Sequence, residues 1–173
     1  MKEAKRSGTV SEKIVLPMFV LCVAMLITAC QPQGSGFLKN EFMTFHRVAI
    51  SPFEGDPGGE ICQSFYFSFR ERFPQMDILD QYRLMQTSQR ESLYPNRLSE
   101  VTRSRIYKEL GAQAVIVGNV ISPGIGNWYL QVKVIDTRTG ETLGASSVQT
   151  QDIGGRSLTA AVQLAVEKLA LRE

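Results

Sequence analysis

The chain has 173 residues, 43% of them hydrophobic, 21% charged and 9% aromatic, a composition that excludes a disordered chain and a multi-span membrane protein and fits one domain. Nineteen Lys and Arg against seventeen Asp and Glu leave a formal charge of +2, which argues against the basic surface that nucleic-acid binding needs. One histidine, His46, and three cysteines, Cys22, Cys30 and Cys62, argue against a histidine-centred triad and against most zinc sites, so binding is expected, with no cofactor, metal or small-molecule substrate evident.

The first thirteen residues carry Lys2, Lys5, Arg6 and Lys13 against Glu3 and Glu12. Ile14 to Ala29 then reads IVLPMFVLCVAMLITA, an uncharged run shorter than the roughly 20 residues of a spanning helix. A positive start and a short apolar run are the layout of a signal peptide. The run closes on Ile27-Thr28-Ala29-Cys30, which resembles the lipobox of bacterial lipoproteins. The resemblance implies cleavage between Ala29 and Cys30, a diacylglycerol on the Cys30 thiol and an acyl chain on its new amine. Acyl chains hold a protein in a bilayer at about 0.8 kcal/mol per buried methylene. The alternative reading of the same residues is an uncleaved signal anchor. Gln31, where inner-membrane retention would place Asp, implies by the same resemblance the periplasmic face of the outer membrane.

Gln31-Pro32-Gln33-Gly34-Ser35-Gly36 has the composition of a flexible tether. The expected organisation is a signal peptide over 1–29, a lipidated cysteine and tether over 30–44, and a periplasmic domain over 45–173. Cleavage removes four basic and two acidic side chains, leaving fifteen of each. The mature protein is then formally neutral, with Cys62 its only free thiol. Its neighbours Ile61, Phe65 and Phe69 predict that Cys62 is buried and inert.

Within the domain, Arg47 to Phe53 predicts a short buried strand stopped by Pro52. A glycine-rich loop, Glu54 to Gly59, follows. From Glu60 to Phe73, Ile61, Cys62, Phe65, Tyr66, Phe69 and Phe73 fall on one stripe of a helix, with Phe67 on the opposite side. Met76 to Asp80 predicts a second short strand, and Gln81 to Glu91 a weak helix or turn. Pro95 to Leu110 predicts a helix stopped by Gly111. The continuously apolar Ala112 to Ile121 predicts a central strand covered on both faces. Alternation over Trp128 to Ile135, a turn at Asp136 to Gly140 and a return over Glu141 to Gln151 predict an antiparallel pair. Leu158, Ala161, Val162, Ala165 and Leu169 mark the core face of a last helix over 157–171.

The order β-α-β-(short α)-α-β-β-β-α predicts an α+β (mixed α/β) domain, a single mixed sheet of about five strands with packed helices. The stretches VAISPF, LGAQAVIVGNV and VKVIDTRTGETL resemble a pattern shared by a group of envelope proteins. That group comprises the curli secretion lipoprotein CsgG, the penicillin-binding-protein activator LpoB, the flagellar lipoprotein FlgO and the amino-terminal domain of TolB. The resemblance covers nearly all of residues 47–173 and implies a fold and a binding or assembly role rather than an enzymatic one. The matching Pro52, Phe53, Gly111, Gly118, Asp136, Thr139 and Gly140 are explicable as fold residues. CsgG-type pores need long membrane-spanning hairpins, each strand about 9–11 residues, and the short connections here leave no room for them.

Other motifs are weaker. Gly55-x-x-Gly58-Gly59 lacks the Gly-Lys-Ser/Thr of a phosphate loop, and Gly124-x-Gly126 precedes a strand rather than a helix, so both read as turns. Asp77 and Asp80 read as strand-end residues rather than an acid pair. Phe67 and the basic Arg97, Arg103, Arg105 and Lys108 are the candidate partner interface, weighed against a solvated helix face. The function expected is a lipid-anchored binding or scaffold subunit of an envelope assembly such as an export, curli-like or flagellar structure, with homo-oligomerisation open. The alternative is an LpoB-like regulator that docks on and activates a cell-wall synthase or another periplasmic enzyme.

Overall fold

The computed structural model describes residues 33–79, 84, 98–124, 126–151 and 156–170. Six strands form one sheet: β1 (Gln33–Leu38), β2 (Arg47–Ile50), β3 (Asp77–Leu79), β4 (Ala114–Gly124), β5 (Asn127–Asp136) and β6 (Thr142–Gln151). Their order is β1-β6-β5-β4-β2-β3. β2 runs parallel to β3 and β4, and every pairing from β4 to β1 is antiparallel. Three helices pack on the sheet: α1 (Glu60–Arg72), α2 (Glu100–Leu110) and α3 (Arg156–Leu169). The expected α+β architecture and the interior place of β4 both hold. β4 lies between β2 and β5 because Ala114 to Val117 are apolar on both sides of the pleat and are buried throughout.

The expected count of five strands is one short. β1 comes from the segment read as tether, and pairs with β6 from Gln33↔Gln149 to Leu38↔Gly144. Its glycines answer a packing need rather than a need for flexibility. A Cβ on Gly34 would lie 2.7 Å from Val148 Cγ2, and one on Gly36 would lie 2.8 Å from the Ala145 carbonyl and 2.9 Å from Lys168 Cβ on α3. The edge strand therefore approaches β6 and α3 more closely than a side chain allows. A 3-10 turn over Asn40–Thr44 then carries buried Phe42 into the core.

α1 and α3 cover one face. The predicted α1 stripe is buried at Ile61, Cys62, Phe65 and Phe69. Its rings stack along the helix, with Phe65 and Phe69 centroids 5.8 Å apart, Phe69 and Phe73 4.6 Å apart, and Phe53 5.3 Å from Phe65. α3 adds Ala161, Val162, Ala165, Val166 and Leu169, all buried. Cys62 is buried, as expected, with its Sγ donating to the Ser51 carbonyl at 3.3 Å. Asp56 Oδ2 accepts from the Cys62 N–H at 2.8 Å, securing the start of α1.

α2 covers part of the other face, with Ile106 packed in a smaller cluster of Ala49, Leu79, Leu84, Ala112, Val115 and Val117. The helix begins at Glu100, after Ser99, whose Oγ accepts from the Thr102 N–H at 3.1 Å. Pro95, the expected start, lies outside the described residues, as do Asp80 and all of 81–91 except Leu84. Gly111 ends the helix at φ +67°, as predicted.

Candidate docking surfaces

The predicted interface residues do not form one patch. Phe67 stands on the outer side of α1, 58% exposed, with the Tyr66 ring edge-on at 5.6 Å. Arg103, Arg105 and Lys108 belong to α2, across the sheet from α1: Phe65 and Phe69 share the larger core with Val48 and Ile50, whereas Ile106 packs with Ala49. Alternate residues of β2 point to opposite faces, so the sheet separates the two groups. Arg97 lies outside the described residues, as do Ile27, Thr28, Ala29 and Cys30.

The three described basic residues have different roles. Arg103 is half-buried against the β5–β6 turn, where a Cβ on Gly140 would lie 2.2 Å from its Nη1. Arg103 therefore acts as packing, and its buried Nη1 finds no hydrogen-bond partner among the described residues. Arg105 Nε lies 3.7 Å from Glu109 Oε1 one helical turn on, a solvated pair of small energetic worth. Lys108 is exposed. Beside it Val101 is 61% exposed, and both border a shallow depression with Glu100, Ser104, Arg105 and Glu109. Sequence reading did not single out Val101, since an apolar residue within a helix reads as core.

The two ends of the β4–β5–β6 meander differ in composition. At the β5–β6 turn, Asp136 Oδ1 accepts from the Arg138 and Thr139 N–H groups at 2.7 and 2.9 Å. Thr137 Oγ1 donates to the Ala112 carbonyl at 2.8 Å, and Arg138 lies over the Tyr107 ring of α2 at 5.7 Å. The expected turn at Asp136 to Gly140 is thus present, with Gly140 at φ +78°. At the β4–β5 end, Ile121 pairs with Tyr129 across the strands and is 41% exposed. Gly126 stands in the turn there at φ +76°, as expected, while Gly124 is the last residue of β4 and pairs with Asn127. Gly55 and Gly59 also take left-handed turn conformations.

Among the described residues the sheet face under α2 is covered toward β2, β3 and β4. Toward β1 it presents exposed Gln33, Ser35, Gln131, Lys133, Ser147 and Gln149, a polar and largely uncharged surface. Asp77 is engaged by Arg47 Nε at 2.6 Å. Among the described residues no three His, Cys, Asp or Glu side chains gather as metal ligands, and no helix is long and apolar enough to cross a membrane.

The chain thus belongs, by its fold, to the class of single mixed-sheet α+β domains with helices on both faces. The sequence matches no protein-family model and no curated protein. Among solved structures it is similar to lipoprotein GNA1162 from Neisseria meningitidis, at 14% identity over 72% of this chain and 96% of that chain, with a TM-score of 0.54. It is also similar to a variant of the PelC dodecamer from Paraburkholderia phytofirmans, at 14% identity over 81% of this chain and 97% of that chain, with a TM-score of 0.51. The LpoB C-terminal domain from Salmonella enterica aligns over 62% of this chain and 83% of that chain at 16% identity, with a TM-score of 0.46. Likeness at these identities concerns the fold.

Proposed function

We propose that this chain is a lipid-anchored periplasmic scaffold protein, a subunit or accessory of an outer-membrane assembly. The observation that carries the reading is the lipobox-like Ile27-Thr28-Ala29-Cys30, whose cysteine stands three positions ahead of the first described strand. A cysteine so placed delivers a folded domain to a bilayer surface without a spanning helix. The fold it shares with a lipoprotein and with a protein solved as a dodecamer supports the anchor and assembly through copies of the chain. Exposed Phe67 and Val101, on opposite sides of the sheet, supply two separate faces, as a subunit with neighbours on both sides requires. No step of bond chemistry is assigned to any residue.

The test has two parts. Wild-type protein expressed in a bacterium that processes lipoproteins takes up radioactive palmitate and fractionates with the outer membrane, while Cys30→Ala does neither. Retention of Cys30→Ala in the membrane through residues 14–29 returns the segment to an uncleaved signal anchor. Detergent-extracted protein is then sized by light scattering. A ring-sized oligomer is the expected result, whereas a monomer that captures a cell-wall synthase favours the LpoB-like regulator instead.

A further inference from the structure

The register of the sheet puts four residues in one transverse row. Ile121 on β4 faces Tyr129 on β5, Tyr129 faces Gln149 on β6, and Gln149 faces Gln33 on β1. The row spans three strand spacings, roughly 14 Å. Gln33 begins β1, so the chain arriving from Cys30 enters the sheet at this row. Cys30 precedes Gln33 by three residues, a reach of at most about 11 Å. The β4–β5 hairpin extends beyond the same row by Ser122, Pro123 and Gly124, roughly 10 Å at the rise of a strand. β1 therefore begins on the side of the row from which the hairpin projects.

The chemistry of this end suits the same surface. No charged residue occurs from Leu110 to Val132, from Thr142 to Gln151, or from Gln31 to Leu38. Within these stretches no charge has to shed its water at a head-group surface. Exposed Ile121 offers an apolar contact, and Tyr129 and half-buried Trp128 are of the residue types enriched where bilayers meet water. Among the described residues the acidic Glu54, Asp56 and Glu60 lie on the β2 side, where Glu54 bridges to Asn119, and Asp152 follows β6 directly in the sequence.

We propose that this end of the sheet, with the β4–β5 hairpin, Ile121 and Tyr129, rests on the phospholipid surface that holds the anchor. The inference builds on the lipidation of Cys30. Once the lipid is inserted, hairpin contact is effectively intramolecular and a weak apolar interaction suffices to maintain it. The anchored domain then has a set orientation, with the β5–β6 turn and the carboxyl end of α2 turned away from the membrane.

Trp128 is the only tryptophan, so the wild-type chain carries its own reporter. Lipidated full-length protein is reconstituted into phosphatidylethanolamine and phosphatidylglycerol vesicles, with or without brominated acyl chains, and emission is read after flotation. Bromination is expected to remove a substantial part of the Trp128 emission, and more than half of the emission of Ile121→Trp made in a Trp128→Phe background. Tyr107→Trp in that background, at the other end of the sheet, is expected to stay unquenched. Ile121→Glu is expected to float and melt like wild type while Trp128 loses its quenching. Unquenched Ile121→Trp on floating vesicles overturns the docking and leaves the anchor intact, whether iodide reaches that tryptophan or a second copy shields it. Failure of wild type to float overturns the anchor itself, and the docking with it.

Discussion

The two ends of the β4–β5–β6 meander share strands and register but are finished in opposite ways. The β5–β6 turn is tied down by side chains: Asp136 holds two backbone N–H groups, Thr137 reaches the Ala112 carbonyl, and Arg103 packs over Gly140. Among the described residues the β4–β5 hairpin has no such partners from α2, and it carries no charge and stands beyond exposed Ile121. Polar closure makes the first end a structural element of the fold. The second end, without such side-chain ties among the described residues, leaves exposed Ile121 for a contact outside the domain.

Substitutions at the two ends should therefore separate stability from attachment. The largest loss is expected for Gly140→Val, about 3 kcal/mol in urea unfolding, because a β-branched residue is forced to positive φ and its Cβ enters the space of Arg103. Gly36→Val should follow at about 2 kcal/mol, since over-packing β1 against β6 and α3 costs in that range. If Gly36→Val unfolds with wild-type midpoint, β1 is not part of the cooperative unit and the reach from Cys30 to the sheet is longer than the strand allows. Asp136→Ala should cost about 1–2 kcal/mol by leaving two N–H groups without their acceptor.

Smallest are the exposed apolar sites, where stability should move by under about 0.5 kcal/mol. Phe67→Ser should lower the oligomer fraction seen by light scattering without lowering the melting temperature. Equal loss of both would make Phe67 a core residue despite its exposure. Ile121→Ser should keep wild-type unfolding while reducing Trp128 quenching by brominated lipid, and a stability loss matching Asp136→Ala would erase the contrast between the two ends.

Much of the fold was legible because its signals are local. The α1 stripe of Ile61, Cys62, Phe65 and Phe69, the continuous apolar run of β4, and the Asp136-to-Gly140 turn each follow from spacing along a few residues. The basic helix was legible as composition but not as a surface. Whether Arg103 meets a partner or fills the hollow above Gly140 depends on a turn more than thirty residues away. β1 was misread for a related reason: Gly34-Ser35-Gly36 has the composition of a linker, and only the closeness of Val148, Ala145 and Lys168 makes the missing side chains a requirement.

By itself, then, the sequence determined the alternation of elements, the buried cysteine, the neutrality of the domain and the lipobox-like Cys30, all of which rest on residue type and short-range periodicity. Tertiary structure alone decided that the tether becomes an edge strand, that Phe67 and the α2 basic residues lie on opposite faces, and that Gln33 shares a row with Ile121. Those facts depend on which strands become neighbours, and strand pairing is set by contacts between residues up to 116 positions apart, as in Gln33↔Gln149, which no local pattern encodes.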